Sequence, residues 1–258
     1  MESTTWRWQL ADGTASNDWD AWSRRLYAIA ARRGLDLLRL GRIDGDPLLL
    51  IAPGPGSAAR PRRLIASGFH GEEPAGPWGV LAFLENVSDE LLGTCALTLL
   101  PLVNVSGFRA GRRLNAYGEN PNRGYLPGAE AASQEGLLLM EHAGLLTEAA
   151  RDGLLSCHED VLLEHCYLYA NEHGEQPGAW AARLLATNAE FFPIHPDGEV
   201  DGCTVRGGIV FNHADTSFES WLFERGASHT ACVETPGQAD FMRRVAAQAA
   251  MMRAFLMG

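Results

Sequence analysis

The stretch "ASGFHGEEPAGPWGVL" (residues 66–81) sets His70 and Glu73 three positions apart, directly after the apolar run "LIASGF". Charge at the end of a core segment is costly to desolvate unless something compensates it. Imidazole nitrogen and carboxylate oxygen both suit zinc, which in hydrolytic sites takes three protein ligands and keeps a fourth position for water. A tight turn after a strand can bring both side chains of an H-x-x-E pair onto one ion. The same residues also fit a plain helix start, with Glu72 and Glu73 favouring the dipole and Pro74 early in the first turn.

A third ligand shifts the balance. His158, in "LLSCHED", ends another apolar run, and Glu159 and Asp160 beside it could hold the ring nitrogen that faces away from a metal. Its plainer reading is a strand-end histidine flanked by surface acids. Glu234, in "CVETPG", is an acid between an apolar strand and a Pro-Gly turn. Zinc hydrolysis needs a carboxylate near the activated water, to take its proton and pass it to the leaving group. A solvated turn acid is the alternative. The loop "NVSGFRAGRRLNAYGENPNRGY" adds Arg109, Arg112, Arg113 and Arg123, interleaved with asparagines. Arginine's planar fork suits carboxylates, and a permanent cation near a metal can stabilise an oxyanion.

These residues need strands to end on. Residues 19–34 space their apolar positions as an amphipathic helix that closes on Gly34. "LDLLRLGR" and "PLLLIAP" flank the turn signal "IDGD" and read as a strand pair. "RLIASGF" reads as a strand, "AGPWGVLAFLEN" as a helix, and "CALTLLPLVN" as a strand. Residues 104–130 read as a long functional loop. "SQEGLLLMEHAGLLTEAARDG" is mostly helical, "GLLSCHED" and "HTACVETPG" are strands, and "ADFMRRVAAQAAMMRAFLMG" is a closing helix; residues 171–207 resist assignment. Strands alternating with helices predict an α/β sheet covered on both faces, with the site just beyond the carboxyl ends of strands.

At 258 residues, 46% hydrophobic and 21% charged, the chain is long enough for one sizeable core, and one domain over 1–258 is expected. A net charge of −11 disfavours nucleic acid, which needs clustered Lys and Arg. Against that acidic background the cationic loop points to anionic groups on a substrate. No signal peptide or membrane-length apolar run is visible, and five unpatterned cysteines fit free thiols in a reducing compartment. A cytoplasmic location without membrane partners is expected; the oligomeric state is left open.

The ordered set H-x-x-E, N-x-x-G, R-x-N, N-R, strand-end His and strand-end Glu, over residues 70–234, resembles the zinc metallocarboxypeptidases, the carboxypeptidase A-like family. The compact R-x-N-x-x-G-x-x-x-N-R loop looks most like the short bacterial branch that includes murein peptide amidases. The resemblance implies a single-domain three-layer αβα fold with a mixed, mostly eight-stranded sheet. It implies one zinc ion on His70, Glu73 and His158, with Glu234 as general base and acid. Arg113 would polarise the scissile carbonyl, and Asn122 with Arg123 would grip a terminal carboxylate. Three departures stand out: "NVSG" for N-P-D-G, "NPNRG" for D-x-N-R-N, and no tyrosine before the last strand, where Phe211, Asn212 and His213 lie instead. Glu219, two residues before Trp221, falls where such enzymes carry the floor of the specificity pocket, and a carboxylate there would favour a basic side chain. The expected substrate is a small peptide or an acylated amino acid. The alternatives are a deacylase like aspartoacylase or succinylglutamate desuccinylase, and a non-catalytic binding module on the same fold.

Overall fold

A computed structural model describes residues 8–54 and 56–257. The Asp18 carboxylate accepts from the Ala21 N–H and opens α1 (Trp19–Arg33), which buries Trp22, Leu26 and Ile29 and closes on Gly34 at φ 62°. The hairpin β1 (Leu37–Ile43) and β2 (Asp46–Ile51) turns at Asp44 and Gly45, both with positive φ, as two-residue hairpin turns require. Then follow β3 (Arg62–Ser67), α2 (Ala75–Asn86), the short α3 (Asp89–Leu92) and β4 (Ala96–Leu100). The expected strand over "CALTLLPLVN" ends at Leu100, because Pro101 cannot donate to the ladder.

The loop after β4 holds a small helix, α4 (Val105–Ala110), before α5 (Gln134–Glu141), α6 (Ala143–Ala149) and β5 (Leu154–Asp160). The next region contains β6 (Tyr167–Glu172), α7 (Ala179–Ala189), β7 (Gly198–Val200), β8 (Cys203–Val205) and β9 (Ile209–Phe211). Last come α8 (Phe218–Glu224), β10 (His229–Pro236) and α9 (Phe241–Leu256).

Eight strands form one mixed sheet in the order β1-β2-β4-β3-β5-β10-β6-β9, while β7 and β8 pair separately. The centre is parallel, with β3 beside β4 and β5, and β5 beside β10. β6 runs antiparallel to β10. β4 is buried along its whole length, β3 after Arg62 and β5 as far as Glu159, because both faces of the central sheet are covered. Ile51, Ile65, Leu99, Leu155 and Val233 pack with residues of α1, α2, α7 and α9, whereas Leu50, Leu64, Leu100 and Leu154 pack with α5, α6 and α8. This is the sheet covered on both faces that the strand–helix alternation implied, in the three-layer, eight-stranded form that the family resemblance implied.

Register places the polar residues. Glu234 pairs with His158, and Cys232 pairs with Ser156 on one side and Tyr169 on the other. Side chains alternate along a strand, so Ser156, His158, Tyr169, Cys232 and Glu234 all share the α8 face, with Leu154. The turn carrying His70 is pressed against α4: Gly71 N–H donates to the Arg112 carbonyl at 2.9 Å. A Cβ on Gly71 would lie 1.9 Å from the Gly107 carbonyl carbon. Both contacts are backbone, so neither side can yield cheaply. Gly71→Ala is therefore expected to cost about 1–3 kcal/mol, the usual range for overpacking. Denaturant unfolding should show a lower midpoint at unchanged slope, and an unmoved midpoint would contradict the close approach.

Candidate metal centre

The three ligands read from the sequence come together at the carboxyl ends of β3 and β5, with His70 and Glu73 in the turn after β3 and His158 in the last residues of β5. His70 Nδ1 lies 2.6 Å from Glu73 Oε1, and His158 Nδ1 lies 2.9 Å from Glu73 Oε2. All three side chains are buried, at 4, 3 and 2% exposure for His70, Glu73 and His158. The turn between His70 and Glu73 is anchored from three directions. Asn104 donates to the Phe69 and Arg113 carbonyls and caps α4 by accepting from Gly107 N–H. Asn17, ahead of α1, donates to the Gly71 and Phe108 carbonyls at 2.8 Å each. His158 stands on the Phe69 ring, with centroids 5.7 Å apart and planes 10° from parallel. Its carbonyl accepts from Gln248 of α9 at 2.7 Å.

The outward ring nitrogens have unlike partners. His70 Nε2 meets the amide oxygen of Asn120 at 3.1 Å. His158 Nε2 meets Ser156 Oγ at 3.1 Å and Glu219 Oε1 at 3.6 Å. Glu159 and Asp160, expected to hold that nitrogen, do not. The pleat sends Glu159 to the opposite face, where it accepts from Ala75 N–H at 2.7 Å and pairs with Arg244. Asp160 accepts from the Tyr167 hydroxyl and from Leu162 and Leu163 N–H.

Arg113 Nη1 lies 3.4 Å from Glu73 Oε1 and remains nearly half exposed to the cleft. Arg123 also lines the cleft, facing Asp215 at 3.6 Å and Glu130 at 3.7 Å. Asn122 and Glu219 reach the cleft wall but turn their polar atoms to each other: Asn122 Nδ2 donates to Glu219 Oε2 at 3.1 Å, and its Oδ1 accepts from Phe218 N–H at 3.0 Å. The carboxylate grip expected of Asn122 thus meets an amide already committed at both ends. Arg109 turns away, onto Asp46 and the Trp19 ring.

Glu234 lies in the same cleft, which holds about 160 Å³. Its Oε1 accepts weakly from the Cys232 thiol, and Oε2 has no hydrogen-bond partner among the described residues. Sequence reading passed over Ser156, Asn120, Cys232 and Tyr169. The first and third sit two residues before His158 and Glu234, so the period of a strand was signal enough for them. Tyr169 enters through β6 pairing with β10, while His213 also borders the cleft.

Burial would raise Glu73, but the charges and hydrogen bonds of His70 and His158 hold it well below the usual carboxylate range. Burial pushes His70 down, so its imidazole is neutral at pH 7. Burial would lower His158 too, yet Glu73, Glu219 and Glu234 outweigh it and lift the ring to about 10. Burial, with Glu73 and Asp160 nearby, raises Glu234 to about 8 against the opposing pull of His158.

Two imidazole nitrogens and a carboxylate aimed at one another, with an unpartnered carboxylate oxygen alongside, form the donor set of an open zinc site. The residues fit the ion. Without it the His158 proton compensates Glu73, and a dication must displace that proton. Zinc affinity is therefore expected to rise with pH between 6 and 9, with nearly two protons released per ion bound at pH 7, one from His158 and one from Glu234. Titration calorimetry in buffers of different ionisation enthalpy measures this; a pH-independent affinity would contradict the arrangement.

The sequence matches no protein-family model and no curated protein. Solved structures do match. A "putative metallopeptidase" of Shewanella amazonensis is 46% identical over 93% of this chain and 92% of its own, with a TM-score of 0.90. A metallo-carboxypeptidase of Burkholderia cenocepacia is 18% identical, over 92% of this chain and 68% of its own, with a TM-score of 0.70. The murein-tripeptide amidase of Escherichia coli is 19% identical, over 84% and 91%, with a TM-score of 0.58. The last two likenesses are of fold alone.

Proposed function

The chain belongs to the zinc carboxypeptidase-like metallopeptidases and is a hydrolase, and on that premise we propose that it cleaves a C-terminal peptide or amide bond with Glu234 as general base and acid. The carrying observation is the convergence of both Nδ1 atoms on the two oxygens of Glu73, with the free Glu234 oxygen in the same cleft. His70, Glu73 and His158 would hold zinc, which when bound supplies a Lewis acid and an acidified water at neutral pH.

The remaining work falls to side chains. Glu234 takes a proton from the attacking water through its free oxygen and hands it to the leaving amine. In the metal-free chain Glu234 is held near 8, largely by burial and by Glu73. A cation on the ligand set stabilises its ionised form and makes it a base at neutral pH. Arg113, half exposed and already aimed at Glu73, is the cation placed to meet an oxyanion developing in the cleft. Arg123 offers a second, partly neutralised cation for a substrate carboxylate. With Asn122 committed elsewhere, that grip falls to Arg123.

No helix among the described residues is long and apolar enough to cross a membrane, and we place the enzyme in the cytoplasm, acting on small peptides or acylated amino acids. A panel of C-terminal peptides, murein peptides and N-acyl amino acids separates the peptidase from a deacylase. Glu234→Gln should lower kcat by about 10²–10⁴-fold, the usual contribution of a general base, while zinc content stays at wild-type level. Turnover retained within a few-fold in Glu234→Gln would remove Glu234 from the chemistry. Zinc bound with no hydrolysis of any panel member would favour a binding module instead.

A further inference from the structure

One buried carboxylate has no part in those steps. Glu219 sits in the first turn of α8 with its side chain 5% exposed. Its Oε2 is taken by Asn122, which is itself locked by the Phe218 N–H, so the carboxylate is fixed in one orientation. Among the described residues Oε1 has no hydrogen-bond partner at normal length, and it lies 3.6 Å from His158 Nε2. Phe218 and Phe69 pack together at 5.2 Å, and Phe69 stacks on the His158 ring, so α8 and the ring are held by one aromatic stack.

We propose that Glu219 is a positioning residue for the metal centre: its carboxylate fixes the His158 ring through Nε2 and is fixed in turn by Asn122. The proposal rests on the metallohydrolase reading of this site. When Nδ1 of His158 is given to a metal, the one remaining ring proton sits on Nε2, facing Glu219 Oε1 and Ser156 Oγ. A carboxylate there orients the ring and makes its other nitrogen a better donor. The two ligand histidines then differ in kind, since His70 has the amide oxygen of Asn120 behind it rather than a carboxylate among the described residues. Charge points the same way. A dication on two neutral imidazoles and Glu73 leaves one positive charge in a buried shell, which Glu219 helps the ionised Glu234 to offset. The specificity-floor role read from the sequence would need this carboxylate free for a substrate ammonium, whereas one oxygen is bonded to Asn122 and the other faces the ring.

Zinc affinity, measured by competition with a chelating indicator, tests this on the wild type and on Glu219→Gln. Loss of the carboxylate behind a ligand histidine should weaken binding ~10–100-fold. The cobalt-loaded Glu219→Gln should also show an altered visible spectrum, which a change in substrate preference alone would not produce. Thermal unfolding of the metal-free forms shows whether the variant is folded. If it is not, Asn122→Ser, which keeps the carboxylate but frees it, carries the same test with a smaller expected loss. Wild-type affinity and spectrum in Glu219→Gln, with an altered preference between Lys- and Leu-terminated peptides, would overturn the proposal and leave the hydrolase reading standing. A wild type that takes up no zinc would overturn that reading itself, and the proposal with it.

Discussion

Glu73 carries a negative charge where water scarcely reaches, and the architecture around it is a set of answers to that cost. Two imidazoles point at its two oxygens, the Glu159 N–H donates to one of them at 3.2 Å, and the Arg113 guanidinium stands nearby. Desolvating a carboxylate without such partners would drive it to bind a proton. Here the proton resides on His158 instead. A divalent cation is the stronger form of the same compensation. The glycine at position 71, the Asn104 cap and the Asn17 amide all serve to hold the short turn that keeps His70 and Glu73 on one point.

Pleat and register do the rest with little further chemistry. Because β5 and β10 run parallel in register, His158 and Glu234 come side by side on one face. Residues one position away serve the opposite layer: Glu159 holds the start of α2 and pairs with Arg244 of α9. Adjacent acids in "HED" therefore have unrelated tasks.

What could be read from the residues alone was whatever is local. The helix over 19–33, the Asp-Gly hairpin, the H-x-x-E turn and the apolar strands before each polar terminus follow from short-range periodicity and turn chemistry. The commitments of Asn122 and Glu219 could not, because the two are 97 positions apart and their contact is set by where α8 docks. The small helix α4 hid inside a Gly- and Arg-rich loop because six residues show no periodicity to detect. β6 lies on a stretch whose strand character becomes plain only when paired with β10. The Ser156 contact was within reach, since a polar residue two before a strand-end histidine must share its face.

Asn17 on the Gly71 carbonyl and Gln248 on the His158 carbonyl bring the metal site into a question of timing. One ligand turn is tied down by a residue that precedes α1, and another ligand's backbone is seated by α9. Synthesis runs from the amino end, so a nascent chain displays His70, Glu73 and His158 well before α9 exists to pack against α2. Contacts so distant along the chain form only after the costly closure of long loops. Affinity for the ion is thereby coupled to completion of the fold, and a half-made polypeptide holds the ligands without the geometry that makes them a hydrolytic centre.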